Sequence, residues 1–264
     1  MWSFVLLALV LLATRTWSQV TPLLQSKRTL GLLAVAAVFL SVNWGTYVYA
    51  VSTDQIVEGS LGYFINPLVS VALGVLVLKE RLRPMQWVAL GIAVLGVLEL
   101  TWSYGAIPWI GLVLAFSFGT YGLVKKVVGA KAVPAMAVET SVLLPIALGY
   151  LILAEASAQA AFVADGPGLS VLLILLGPVT VMPLLAFNGA ATRVPLSVLG
   201  LMQYLTPTII FLIGVFGFRE AMTSARWAGF AVIWLALAIF AVDAWRSTRG
   251  RRQEQAWMAV AEPD

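Results

Sequence analysis

Residues 60–87, SLGYFINPLVSVALGVLVLKERLRPMQW, and residues 200–227, GLMQYLTPTIIFLIGVFGFREAMTSARW, align without a gap at an offset of 140. Pro67 falls on Pro207, Gly74 on Gly214, Glu80 on Glu220 and Trp87 on Trp227, and the aromatic Phe64 falls on the aromatic Tyr204. Chance likeness between two hydrophobic helices would not place two prolines, two acids and two tryptophans in one register. Self-similarity at a fixed offset marks a repeat architecture. The same offset carries segment 133–154 onto 2–14, 168–188 onto 30–51 and 226–244 onto 86–100, while 106–124 maps to positions before Met1. The second unit therefore has five apolar segments and the first has four.

Composition says what those segments face. Of 264 residues, 61% are apolar and 11% charged, and the mean hydropathy is +0.96. A soluble domain carries roughly 25% charged residues, so this surface must meet lipid. Hydrocarbon about 30 Å thick needs roughly 20 apolar helical residues. Nine segments fit or approach that length: 2–14, 30–51, 60–78, 86–100, 106–124, 133–154, 168–188, 196–218 and 226–244. They are continuous runs without strand alternation, and the expected fold is an all-α polytopic membrane protein. There is no histidine and no cysteine, which excludes disulfides, thiolate chemistry, Cys/His metal sites and imidazole bases. No catalytic residue, metal site or cofactor is expected. A Walker-type phosphate loop is absent from the sequence, so ATP drive by this chain is not expected.

Five helices is an odd number, so the two repeats enter the membrane from opposite sides. Inverted repeats of this kind recur in secondary transporters, which hold substrate near the bilayer midplane between the halves. The expected division is 1–104 for a first repeat with four of five helices, 105–245 for a complete second repeat, and 246–264 for a disordered cytoplasmic tail. A ten-span design would then have its first helix ahead of Met1. Nearly all of the 16 basic residues collect on one face of the chain, in the groups Arg15–Arg28, Lys79–Arg83, Lys125–Lys131, Arg193 and the arginines after Trp245. That face is expected to be cytoplasmic by the positive-inside rule, so the net charge of +4 reflects topology and no nucleic-acid partner is expected.

Polar side chains inside such helices mark candidate sites. Asn43 and Tyr47 share a face, as do Ser117 and Tyr121. Tyr63, Asn66 and Ser70 form a stripe beside Pro67, and Gln203, Tyr204 and Thr206 stand at or near the repeat-related positions beside Pro207. Trp44 adjoins Asn43, and Asn188 ends the seventh segment. These residues are candidates for a solute cavity. Interhelical hydrogen bonding alone, worth about 0.6–2 kcal/mol a bond, is the plainer role for each. Pro67 and Pro207 are candidate helix breaks that free carbonyls. Glu139, about two turns into its helix, is the candidate proton-coupling carboxyl, with snorkelling to the cytoplasmic edge or pairing to a lysine as its structural alternatives. Glu99 is a weaker proton candidate, and Glu80 and Glu220 read as loop ion pairs. Trp102, Trp109, Trp227 and Trp245 read as interfacial anchors.

The run Ser60-Leu61-Gly62-Tyr63-Phe64-Ile65-Asn66-Pro67-Leu68, followed by Lys79-Glu80-Arg81-Leu82, resembles the RarD group of EamA-type permeases in the drug/metabolite transporter superfamily. Asn43-Trp44, the stretch Leu114–Leu123, Glu139-Thr140, Pro183-Leu184, Pro195-Leu196-Ser197 and Gln203–Thr208 add to the resemblance, which extends from Met1 to about Trp245. It implies a ten-helix bacterial inner-membrane carrier that exports a small metabolite or drug, with chloramphenicol sensitivity as a hint to substrate. The partners expected are a small-molecule solute, membrane lipid and a coupling proton, and a homodimer is compatible with the pattern. The alternatives are a membrane-embedded enzyme acting on a lipid substrate and a truncated membrane protein that does not transport. Scattered single acids, with no metal-binding cluster in the sequence, argue against the enzyme.

Overall fold

The computed structural model describes residues 1–156, 167–213, 216 and 224–261. Asp165, Gly214, Arg219, Glu220, Glu262 and Asp264 lie outside the described residues. The described chain forms helices α1 (Trp2–Ala13), α2 (Thr21–Gln25), α3 (Lys27–Ser52), α4 (Ile56–Leu76), α5 (Pro84–Tyr104), α6 (Trp109–Val128), α7 (Ala132–Ala156), α8 (Pro167–Ala191), α9 (Leu196–Met202), α10 (Leu205–Leu212) and α11 (Ser224–Ala261). No strand occurs among the described residues.

Six helices are long and apolar enough to cross a bilayer, and α1 with its continuation Trp17–Gln25, bent by 113°, makes a seventh if the pair counts as one span. The last two expected spans are the shorter apolar helices Leu196–Ile209 and Trp227–Asp243. In the first of these the chain turns at Gln203 and Tyr204 before α10 begins. Pro207 favours the turn, since it has no N–H and its ring would clash with the carbonyl four residues back, which belongs to Gln203. The corresponding break expected at Pro67 is not found. There α4 continues through the proline, losing the one hydrogen bond to the Tyr63 carbonyl while the turns on either side continue. The tail read as disordered is helical as far as Ala261, in keeping with its arginine, glutamine, glutamate and alanine content, all good helix formers.

Contacts divide the chain into two compact units, each drawing on both sequence repeats. The first is Met1–Gly45 with Ser117–Leu196, and the second is Thr46–Phe116 with Ser197–Asp264. In the first, Leu7 and Leu11 of α1 pack with Leu33 of α3, Ala135, Met136 and Val138 of α7 and Val181 of α8. Leu172, Val179 and Met182 on α8 remain 62–67% exposed. Exposed apolar area on that scale belongs in lipid rather than water.

In the second unit, Ala89, Ala93, Val97 and Leu100 of α5 form a seam with Phe230, Ile233, Ala236 and Phe240 of α11. The intervals of three and four residues keep that seam on one face of each helix. Small residues set how closely the helices approach. A Cβ on Gly62 would lie 3.0 Å from the Gly111 carbonyl oxygen, and one on Gly111 would lie 3.0 Å from the Gly62 nitrogen, so α4 and α6 cross backbone to backbone there. Two carboxylates serve helix N-termini, where N–H groups lack intrahelical partners. Glu58 Oε1 accepts from the Ile110 N–H at 2.8 Å, and Glu80 Oε2 accepts from the Ser197 N–H at 2.8 Å and its hydroxyl at 2.7 Å. Glu80, read from the sequence as a loop ion pair, thus caps α9, and a Cβ on Gly74 would intrude to 2.7 Å from that same oxygen.

The Gly62–Gly111 crossing is testable. Gly62→Val should destabilise the purified protein by about 1–3 kcal/mol through overpacking, read as a lower unfolding temperature in detergent. Gly91→Ala, where nothing lies within 4 Å of the added carbon, should leave that temperature unchanged or slightly raised.

Candidate functional site

Ser117, Tyr121 and Lys125 recur every four residues on α6 and so share one face. Tyr121 and Lys125 are 0% and 1% exposed. Facing them from α7 is Glu139, 2% exposed, and from α8 Asn188, 0% exposed. The Lys125 ammonium donates to Glu139 Oε1 and forms a buried ion pair with it. The Tyr121 hydroxyl donates to Glu139 Oε2 at 3.4 Å and accepts from Asn188 Nδ2 at 2.8 Å. Lys125 Nζ also stands 5.9 Å from the centre of the Tyr121 ring, within cation–π range. The result is a chain of polar contacts, Asn188–Tyr121–Glu139–Lys125, across three helices of one unit. Phe118 and Phe187 pack beside it, with their ring centres 4.8 Å apart. One buried acceptor, Asn188 Oδ1, has no hydrogen-bond partner among the described residues.

Glu139 also lines a cavity of about 270 Å³ in the same unit, together with Trp44, Ser41, Thr140 and Thr180 among apolar side chains. Trp44 is 44% exposed. Asn43, one residue before it, donates to Ser117 Oγ at 3.0 Å. The first unit therefore brings together Asn43, Ser117, Tyr121, Glu139 and Asn188, with Trp44 on the cavity wall.

The remaining candidates fall in the second unit. Asn66 Nδ2 donates to Gln203 Oε1 at 2.8 Å, and the Ser70 hydroxyl approaches the same oxygen at 3.5 Å. The repeat-related polar stripes thus meet each other through this amide pair. Asn66 Oδ1, Gln203 Nε2 and the hydroxyl of the fully buried Tyr204 have no hydrogen-bond partner among the described residues. Tyr47 and Tyr63 interact through their hydroxyls at the edge of this group, 36% and 37% exposed. Thr206 is exposed and is not drawn into the cluster. Glu99, the weaker proton candidate, sets its Oε2 where a Cβ on Gly229 would come within 2.7 Å, and that oxygen has no hydrogen-bond partner among the described residues.

Lys125 is the buried residue of this cluster that the sequence reading did not pick out. It was counted with the loop cations Lys126 and Lys131, yet it lies inside the first unit. The spacing of Ser117, Tyr121 and Lys125 was the available signal, because it continues the polar face of α6 by one more turn. Lys126, its neighbour, follows a different course and donates to the Val194 carbonyl.

The ion pair makes a quantitative expectation. Removing one member of a buried pair leaves an uncompensated charge and costs about 3–5 kcal/mol. Glu139→Gln and Lys125→Met should each lower thermal stability sharply, whereas the double variant should recover most of the loss. A loss in the double variant equal to the sum of the two single losses would show that the two groups do not interact.

The EamA-like transporter family matches residues 1–102. Protein RarD of Streptomyces exfoliatus is 52% identical to this chain, over 95% of this chain and 80% of its own length. An uncharacterized transporter of Pseudomonas aeruginosa is 43% identical, over 94% of this chain and 83% of its own. A solved crystal structure aligns over 93% of this chain and 85% of its own with a TM-score of 0.64 at 18% identity, a likeness of fold alone. On the strength of this similarity, the chain belongs to the RarD group of EamA-type permeases and is a multi-pass membrane transporter rather than an enzyme.

Proposed function

We propose that the protein is a secondary transporter of the bacterial inner membrane that exports a small metabolite or drug by alternating access, with its C-terminus in the cytoplasm. In this reading residues 1–104 and 105–245 are inverted repeats, and movement of a proton through the Glu139 carboxyl drives transport. The observation that carries the reading is the Lys125–Glu139 ion pair, buried among apolar helices and open on the Glu139 side to a cavity of about 270 Å³. Ionisable groups inside a membrane protein are costly and mark ion or substrate pathways. A pair is also suited to switching, since a proton or a solute that engages the carboxylate releases the lysine and changes what binds α6 to α7. Asn43, Tyr121 and Asn188 in the first unit, with Tyr63, Asn66, Gln203 and Tyr204 in the second, are assigned to solute contact and its support.

Proteoliposome transport tests this reading. Purified protein should support saturable counterflow of at least one solute from a panel of amines, amino acids, nucleosides and neutral drugs, and an imposed pH gradient should accelerate it. Glu139→Gln should abolish the response to the gradient. Movement no faster than in protein-free vesicles across the whole panel would overturn the carrier reading, and counterflow indifferent to pH would overturn the coupling.

Orientation has its own test. The chain has no cysteine, so Ser247→Cys introduces a unique thiol. A membrane-impermeant maleimide should label it in inverted vesicles and not in intact cells. Labelling from outside would reverse the assigned topology.

A further inference from the structure

We infer that the cavity beside Glu139 takes a small organic cation, a primary ammonium on a compact apolar body, and that the Lys125 ammonium occupies its place when the cavity is empty. The inference rests on the proposed reading of this cavity as a solute site and names the class of solute.

Among the described residues Glu139 is the one ionisable side chain on the cavity wall, which Met1, bearing the α-amino group, also lines. Of the four hydroxyls on the wall, those of Ser3 and Thr180 make no hydrogen bond among the described residues, and the two others have their protons committed elsewhere. Ser41 donates to the Ala37 carbonyl at 2.8 Å, and Thr140 donates to the Met136 and Ala137 carbonyls at 2.9 and 3.1 Å. What these two hydroxyls have left is acceptor capacity, which serves an N–H donor and offers nothing to an anion. Trp44 lies on the wall, and an indole is the best of the aromatic surfaces for a cation, while Leu40, Leu143 and Leu144 supply apolar wall. A volume of about 270 Å³ falls just under the roughly 300–1,000 Å³ of drug-sized pockets, and so suits a metabolite-sized amine.

The resident contact shows what the carboxylate accepts. Its Oε1 already holds an ammonium, that of Lys125, while its second oxygen is held only by the long 3.4 Å contact from Tyr121. An incoming ammonium can therefore form with Glu139 the same pair that Lys125 forms, from the cavity side. Two cations on one buried carboxylate would leave a net positive charge in low dielectric. Charge balances if Lys125 gives its proton to water as the solute cation binds. The pair and the bound state are then both neutral, and one proton leaves for each cation that enters. Neutral Lys125 stays near the Tyr121 ring and regains its proton when the solute departs.

The experiment titrates purified protein in detergent with phenethylamine, 2-phenylethanol and 3-phenylpropionate, which share an aromatic body and differ in charge. Calorimetry in two buffers of different ionisation enthalpy counts the protons released. Wild-type protein should bind the ammonium more tightly than the alcohol by at least about tenfold, the scale expected of a charge-assisted contact, should reject the carboxylate, and should release close to one proton. Lys125→Gln, with no resident ammonium to displace, should bind the amine more tightly and release none. Preference of the wild type for the alcohol or the carboxylate, or binding of none of the three, overturns the inference whether or not the variant folds. Counterflow of neutral or anionic solutes that phenethylamine does not inhibit overturns this inference and leaves the carrier reading standing. Absence of counterflow for every solute, together with amine binding in detergent, overturns the carrier reading and keeps the cation site.

Discussion

The pairing of Lys125 with Glu139 is the interaction that the first unit is arranged around. Two charges taken out of water cost several kcal/mol each, and their attraction offsets that cost only if the geometry is good and the remaining polar atoms are satisfied. The surrounding side chains meet these conditions in part, since the second carboxylate oxygen is reached only at 3.4 Å and Asn188 Oδ1 has no partner among the described residues. Tyr121 lies one turn before Lys125 on α6 and binds the second carboxylate oxygen, Asn188 on α8 fixes the tyrosine, and Phe118 and Phe187 pack around them. Three helices are thereby tied at one level by groups that could not be buried singly. A structural scaffold would be served at least as well by apolar side chains of similar volume, and this favours the working role proposed for the pair.

Much of the fold was legible because lipid imposes a simple rule: every spanning backbone must satisfy its own hydrogen bonds, and so spans as helix. Seven of the nine apolar segments accordingly reappear as helices within about four residues of their expected bounds, while the eighth is broken at Gln203 and Tyr204 and the ninth lies in a helix that runs on to Ala261. The site was legible where polarity inside an apolar run is itself the signal. Asn43 with Ser117, Asn66 with Gln203, and Tyr121 with Asn188 and Glu139 all make contacts between the stripes that the sequence marked. Lys125 was less legible, because a lysine near a helix end normally reaches for water, and only its four-residue spacing from Tyr121 pointed inward. Glu58 and Glu80 were missed for a related reason: capping a distant helix is a long-range contact with no local pattern.

The repeat-related prolines show how tertiary context separates like sequences. Pro67 and Pro207 remove the same hydrogen bond, yet α4 runs on and its counterpart turns at Gln203 and Tyr204. At Pro67 the helix is held close to α9, where a Cβ on Gly200 would approach the proline carbonyl to 2.9 Å. At the turn, Gln203 meets Asn66, and each amide keeps one hydrogen-bonding atom without a partner among the described residues. Sequence likeness thus gives way to one continuous and one interrupted helix, joined by the polar contact of Asn66 with Gln203.

Infrared spectroscopy of the solute-free protein, with Glu139→Gln as the reference, most directly tests whether the ion pair is the resting state of the site. Subtracting the variant's spectrum should leave the bands of an ionised carboxylate from Glu139, altered again when Lys125 is replaced. A difference spectrum carrying the carbonyl band of a protonated carboxylic acid, unchanged by Lys125→Met, would contradict the account.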